Sequence, residues 1–314
     1  MMNRPGIVFL DADTLGDVDG LSELTRIGTL TVYPNTPSEQ RIERLHGKEI
    51  VITNKVVIDK KVMDACPELK LICVAATGMN NIDIEYASHR GIAVKNVAGY
   101  STESVVQHTF AMVFCLLGNL PYYLNYVKDG SYARSNMFTH HGRPFHELSG
   151  KQFGIVGLGT IGRRVAEAAA AFGAEVIYYS TSRKNLNTGY KSVLLETLLS
   201  DSDIVSIHCP LNDSTRDLIT YEQFQLMKKH AILINTGRGG TINESDLASA
   251  LNENLIAGAA LDVMNQEPPD PSNPLLHLIN PEKLIVTPHI AWASIESRER
   301  LMRGIISNIS EFLK

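Results

Sequence analysis

The sequence predicts an α/β protein made of two doubly wound parallel-sheet units, one inserted into the other. Three observations lead there. An apolar run at 153–156 breaks into a G-x-G-x-x-G turn, Gly157-Leu158-Gly159-Thr160-Ile161-Gly162, near the middle of the chain rather than at its start. Short apolar runs and helix-period segments alternate on both sides of that turn, the pattern of parallel strands covered by crossover helices. At 314 residues the chain is longer than one hydrophobic core usually serves.

In the first hundred residues, 7–10, 49–53, 71–75 and 93–96 read as buried strands, because each is a short and nearly continuous apolar run. Between them 37–45, 59–65 and 84–90 read as helices, and no glycine-rich phosphate loop occurs. A longer apolar-periodic helix at 102–117 is expected to bridge the two units. Residues 122–148 carry aromatic side chains without a clear period and read as a segment that wraps a neighbour. From Gly150 the rhythm resumes, with six strands expected at 154–156, 176–179, 204–208, 231–235, 257–262 and 284–287. The end of the chain, 294–314, reads as one helix, too short for a domain, that returns to the N-terminal unit. The expected division is 1–100 with 290–314 against 101–289.

Each glycine of the central turn has a mechanical reason. Gly157 permits the tight strand-to-helix reversal, Gly159 lets backbone approach a pyrophosphate, and Gly162 lets helix pack on strand. The following helix presents Ile161, Val165, Ala169 and Phe172 at helical spacing and stops at Gly173. Its first turn, Thr160 and Ile161, would offer free N–H groups and a positive dipole end to phosphate. The unit therefore reads as a Rossmann-like dinucleotide-binding domain inserted into a discontinuous second domain.

Composition narrows the function classes. A net charge of −5 gives no electrostatic footprint for nucleic acid. The apolar runs at 7–10 and 110–117 are too short for a signal peptide or a membrane span, so a cytoplasmic protein is expected. Cys66, Cys73, Cys115 and Cys209 lack C-x-x-C spacing and read as buried reduced thiols. His140, His141 and His146 lack Cys or carboxylate partners at ligand spacing and read as solvated loop histidines, so no metal site is expected.

In doubly wound sheets ligands bind beyond the carboxyl ends of the strands. Those ends hold Thr236-Gly237-Arg238-Gly239-Gly240 after the fourth strand, Asp262 and Glu267 after the fifth, and Pro288-His289 after the sixth. An arginine, a carboxylate and a histidine therefore converge on one rim, and three such groups at successive strand ends of a dinucleotide fold read as a functional site. The third strand ends in His208, Cys209 and Pro210, with Thr215 shortly after. These residues and Thr236, Gly237, Arg238, Asp262 and His289 complete the expected cofactor contacts. The second strand runs into Ser180, Thr181, Ser182, Arg183 and Lys184. An NAD-selective fold usually places an acid there for the ribose hydroxyls. Hydroxyls followed by two cations instead suit a 2′-phosphate, so both NAD and NADP stay open.

The order G-L-G-T-I-G, I-N-T-G-R-G-G, A-L-D-V-x-x-x-E-P and T-P-H-I-A-W-A-S resembles the D-isomer-specific 2-hydroxyacid dehydrogenase family over nearly the whole chain. The segments 9–15, 76–83, 99–102 and Gln107-His108-Thr109 are similar to its glycerate dehydrogenase, or hydroxypyruvate reductase, branch. The resemblance implies a hydride exchanged between NAD(P)H and a small 2-keto acid, with Arg238, Glu267 and His289 as the catalytic group. His289 would protonate the carbonyl oxygen. Glu267 would hold the imidazole and favour its charged form, and Arg238 would grip the carboxylate with its planar fork. Backbone N–H groups around Thr77, Gly78 and Met79 would receive that carboxylate, with Asn54, Asn80 and Trp292 near the C3 hydroxyl. A homodimer built on 122–148 is also implied. The competing reading is a nucleotide-gated binding protein, as in the C-terminal-binding-protein corepressors, which share the fold and the Arg, Glu and His. Other family oxidoreductases, such as phosphite dehydrogenases, are further alternatives.

Overall fold

The structure is a computed structural model, and residues 4–184 and 189–314 are described. The chain divides into two compact units, one holding the residues up to Ser101 with Ala293–Lys314, the other Thr102–Trp292.

In the first unit the chain runs β1 (Gly6–Phe9), α1 (Leu21–Ile27), β2 (Thr29–Val32), α2 (Arg41–Leu45), β3 (Ile50–Thr53), α3 (Lys60–Ala65), β4 (Leu71–Val74), α4 (Ile84–His89) and β5 (Ala93–Lys95). All pairings are parallel, in the order β2-β1-β3-β4-β5. Strands β3 and β4 are buried along their whole length, which is why they appear in sequence as unbroken apolar runs. Helices α3 and α4 start where Asp59 and Asp83 accept the N–H of Val62 and Tyr86. The turn after β3 is fixed by Asp11, 3% exposed, whose carboxylate accepts the N–H groups of Asn54, Lys55 and Val56. The C-terminal helix, Ile295–Phe312, belongs to this unit. It packs closely at Gly304, where a Cβ would come within 2.5 Å of the Val97 side chain.

Strand β2 and helix α1 are absent from the expected pattern. β2 is an edge strand with both ends exposed, so it carries no apolar run, and α1 buries only Leu24.

The second unit begins with α5 (Thr102–Leu117), α6 (Leu120–Lys128) and α7 (Ser131–Arg134). It continues with β6 (Gln152–Val156), α8 (Thr160–Ala171), β7 (Glu175–Tyr179), β8 (Lys191–Ser192), α9 (Leu195–Asp201), β9 (Ile204–Ile207), α10 (Tyr221–Leu226), β10 (Ile232–Asn235), α11 (Glu244–Asn252), β11 (Gly258–Leu261) and β12 (Leu284–Val286). Its parallel sheet has the order β12-β11-β10-β9-β6-β7-β8, with the reversal between β6 and β9 that marks a ligand-binding crevice. The expected six strands become seven, because β8 is a two-residue exposed edge strand.

Two expectations are corrected between α5 and β6. Residues 122–148 include helices where no clear period was expected; α6 carries Leu120, Leu124 and Val127 at helical spacing, yet none of its residues is buried. His140 is not a solvated loop histidine. Its ring stacks on Tyr126 at 3.8 Å and its Nε2 lies 2.7 Å from the Tyr122 hydroxyl. Among the described residues no group of three or more His, Cys, Asp or Glu side chains is disposed to hold a metal ion. Nor is any single helix there long and apolar enough to cross a membrane; α5 and α6 pass that test only together, bent by 67°.

Candidate active site

The strand ends of the second unit build the site. Gly157 follows β6 with φ +94°, and a Cβ there would lie 2.8 Å from the backbone of Cys209. A side chain at Gly162 would strike the Gly157 carbonyl at 2.2 Å, so the third glycine lets α8 close onto the turn. Gly159 differs, because nothing lies within 4 Å of where its Cβ would be. That open space faces the first turn of α8, where Thr160 and Ile161 bring unpaired N–H groups and the positive dipole end.

At the end of β7, Ser180 is buried and its Oγ has no hydrogen-bond partner among the described residues. A buried orphan hydroxyl is rare enough to need an explanation, and a ribose hydroxyl or 2′-phosphate would supply the missing partner. Thr181 is half-buried, while Ser182, Arg183 and Lys184 are exposed, with Arg183 held in the left-handed region at φ +55°.

At the end of β9, desolvation pushes His208 down to about 4, so the ring is neutral near pH 7; its Nε2 lies 2.8 Å from Ser206 Oγ. Burial pushes the Cys209 thiol up to about 11, which leaves it inert. The loop beyond Pro210 closes on Thr215, fully buried, whose Oγ donates to the Pro210 carbonyl at 2.6 Å and accepts from Asn212 N at 2.8 Å. The Thr215 hydroxyl is therefore consumed in shaping this loop.

The β10 end is set by Asn235, 1% exposed, a residue the sequence reading did not single out. Its Nδ2 donates to the Arg238 carbonyl at 2.9 Å and its Oδ1 accepts from Gly237 N at 3.0 Å, so both faces of the amide shape the Thr236-Gly237-Arg238 turn. Thr236 is buried, and Gly239 lies so close to Met264 that a Cβ would fall 1.9 Å from its carbonyl oxygen. Arg238 is half-buried and donates from Nη1 to the Gly237 carbonyl at 2.8 Å; among the described residues no carboxylate forms an ion pair with it.

The His289–Glu267 pair lies beyond β11 and β12. His289 Nδ1 is 2.6 Å from Glu267 Oε2, and Glu267 Oε1 accepts from Met264 N at 2.9 Å. With Nδ1 engaged, Nε2 is the ring nitrogen left for a reactant. His289 has φ +54°, a backbone conformation costly for a residue with a Cβ, so it has to be held by its surroundings. Its N–H donates to the carbonyls of Asp262 and Thr287, both at 2.9 Å. Asp262, 1% exposed, accepts from Thr287 Oγ1 at 2.6 Å, Ile290 N at 2.9 Å and Ala291 N at 2.8 Å. Thr287 also escapes the sequence reading, since its part depends on a carboxylate 25 residues away.

Trp292 ends this unit and is half-buried. The remaining substrate candidates lie in the other unit. Asn54 is buried beside Asp11, and its N–H is one of those the carboxylate accepts. Thr77, Gly78 and Met79 follow β4, where Asn96 Nδ2 donates to the Thr77 carbonyl at 2.6 Å.

The family model for the D-isomer specific 2-hydroxyacid dehydrogenase NAD binding domain matches residues 110–291. A glycerate dehydrogenase of Methylorubrum extorquens is 36% identical over 308 residues, covering 98% of this chain and 96% of that protein. A hydroxypyruvate reductase of Blautia hydrogenotrophica is 37% identical over 315 residues, covering 98% and 97%. Among solved structures, a D-lactate dehydrogenase of Aquifex aeolicus in complex with NAD and lactic acid superposes with a TM-score of 0.85 at 28% identity, over 98% of this chain and 95% of that one.

Proposed function

The chain belongs to the D-isomer-specific 2-hydroxyacid dehydrogenase family, and from that premise we propose that it reduces hydroxypyruvate to D-glycerate and, less well, glyoxylate to glycolate. The observation that carries this reading is the 2.6 Å contact of His289 with Glu267 at the strand ends of a dinucleotide fold. The cofactor is NAD or NADP, and when bound it supplies the hydride for the carbonyl carbon.

The protein's own groups do the rest. The open space at Gly159, the first turn of α8 and the orphan hydroxyl of Ser180 fit a dinucleotide. Glu267 holds His289 through Nδ1, and His289 gives its Nε2 proton to the carbonyl oxygen as negative charge develops there. In the reverse direction the neutral ring takes that proton back. Arg238, without a carboxylate partner among the described residues, offers a planar fork to the substrate's carboxylate. The first unit is the proposed substrate domain, with Asn54 and the N–H groups of Thr77, Gly78 and Met79 as its candidate substrate contacts. Trp292 is assigned beside the C3 hydroxyl. Leu124, Val127, Phe138 and Phe145 are exposed on or near α6 and support a homodimer through this segment. The four free cysteines fit a reducing, cytoplasmic compartment.

Hydroxypyruvate against pyruvate tests the substrate, because the two differ only by the C3 hydroxyl. A site built to hydrogen-bond that hydroxyl leaves its own polar groups unpaired with pyruvate, so kcat/KM should favour hydroxypyruvate by at least ~10²-fold. Equal values, or preference for a bulky keto acid, would mean that the chain lacks this specificity.

The Ser180 loop is assigned to reading the cofactor's 2′ position. Ser180→Asp should move the NADPH/NADH ratio of kcat/KM toward NADH by ~10-fold or more, since the carboxylate repels a 2′-phosphate and accepts from ribose hydroxyls. Arg183→Ala should weaken NADPH selectively. Equal effects on both cofactors would remove the loop from cofactor choice.

A further inference from the structure

The Gln107-His108-Thr109 run stands out in the sequence and has no part in the chemistry above. We propose that His108 is a positioning residue that fixes the backbone carrying His289; the proposal rests on the reading of His289 as proton donor.

His108 projects from α5 with Nε2 2.9 Å from Thr287 Oγ1 and 3.5 Å from Asp262 Oδ1. A hydroxyl has one hydrogen to give, and Thr287 gives its own to Asp262 at 2.6 Å. His108 is therefore the donor toward Thr287, with its hydrogen on Nε2. A directed chain results, from His108 to Thr287 to the buried Asp262 carboxylate. The two oxygens of that carboxylate hold the N–H groups of Ile290 and Ala291, the two residues after His289. Since His289 sits at φ +54°, these flanking anchors maintain its conformation together with its own N–H bonds to the Asp262 and Thr287 carbonyls.

Thr109, the next residue of α5, acts on the other loop. It is fully buried, and its hydroxyl donates to the Val105 carbonyl at 2.8 Å, so in its 3.1 Å contact with Thr236 Oγ1 it accepts. Adjacent residues of one helix thus tie down the turn that presents Arg238 and the turn that presents His289. The Asp262 carboxylate is held by O–H and N–H donors that follow β12, those of Thr287, Ile290 and Ala291, and α5 contributes through the His108 hydrogen on Thr287.

The test uses the full-length protein and four variants. His108→Phe keeps a ring and removes the donor, and His108→Gln keeps an N–H at similar reach. Thr287→Val breaks the chain from its other end, and the fourth is the double variant. Hydrogen exchange over 287–292, measured without substrate, should speed up by ~10-fold or more in His108→Phe and stay near wild type in His108→Gln. The double variant should exchange no faster than Thr287→Val alone, because both changes cut one chain. With hydroxypyruvate, His108→Phe should lower kcat by ~10-fold while leaving the KM for the nicotinamide cofactor unchanged, as misplacement of a reacting group does. Unchanged exchange in His108→Phe, additive effects in the double variant, or a His108→Gln as impaired as His108→Phe would overturn the proposal. If the wild type reduces no 2-keto acid, the functional reading falls, and the exchange measurements still decide the bracing on their own.

Discussion

Replacing His289 with Ala should lower kcat for keto-acid reduction by ~10²–10⁴-fold, the span expected when a positioned general acid is lost. Binding of the nicotinamide cofactor should change little. Glu267 is left partly exposed to solvent at the surface of the site, so its lost partner costs little stability. Ala at φ +54° meets the same backbone penalty as His, which keeps the fold comparison fair. Glu267→Gln should come close to the His289→Ala loss, because an amide no longer dictates which ring nitrogen carries the proton. The two losses together should fall well short of multiplying, as expected of residues that act as a unit. Near-normal turnover in His289→Ala would remove the assignment.

Arg238→Ala is the second large effect. A half-buried guanidinium facing a carboxylate makes charge-assisted, two-pronged hydrogen bonds, and truncating one partner of such a pair typically costs ~2–5 kcal/mol. The expected loss is therefore ~30- to ~5,000-fold in kcat/KM for a 2-keto acid, with cofactor affinity retained. Arg238→Lys should recover only part of it, since an ammonium is a point charge without the fork. The turn should stay in place in both variants, because Asn235 holds it through the backbone of Gly237 and Arg238 rather than through the guanidinium. An Arg238→Ala variant that loses cofactor binding and keto-acid turnover equally would assign Arg238 to the dinucleotide instead.

What the sequence made legible and what it hid follow from the range of the interactions. Strands β3, β4, β9 and β10 are buried on both faces and appear as apolar runs, and Gly157 and Gly162 mark a turn where any Cβ would collide with backbone. Arg238, Glu267 and His289 were picked out as candidates because strand ends in this topology are where ligands bind, and the contact of His289 with Glu267 is what the structure adds. By contrast β2 and β8 are exposed edges without an apolar run, and the apolar stripe of α6, Leu120, Leu124 and Val127, is exposed and belongs to no core. The support behind the His289–Glu267 pair was hidden for another reason. His108 and Thr287 lie 179 residues apart, and a hydrogen bond between them leaves no mark on local composition. Ser180 was legible as a missing acid; that its buried hydroxyl has no partner among the described residues is a fact of packing.

The proposed role of the His289–Glu267 pair is turnover, in contrast to nucleotide binding alone as in the corepressors of this fold. Its most direct test is one assay of the wild-type protein with hydroxypyruvate and reduced nicotinamide cofactor, following cofactor oxidation and the configuration of the product together. The account predicts catalytic, stoichiometric conversion to D-glycerate, with turnover lost in the His289→Ala control. Firm binding of the dinucleotide without turnover of hydroxypyruvate or any other 2-keto acid would contradict it.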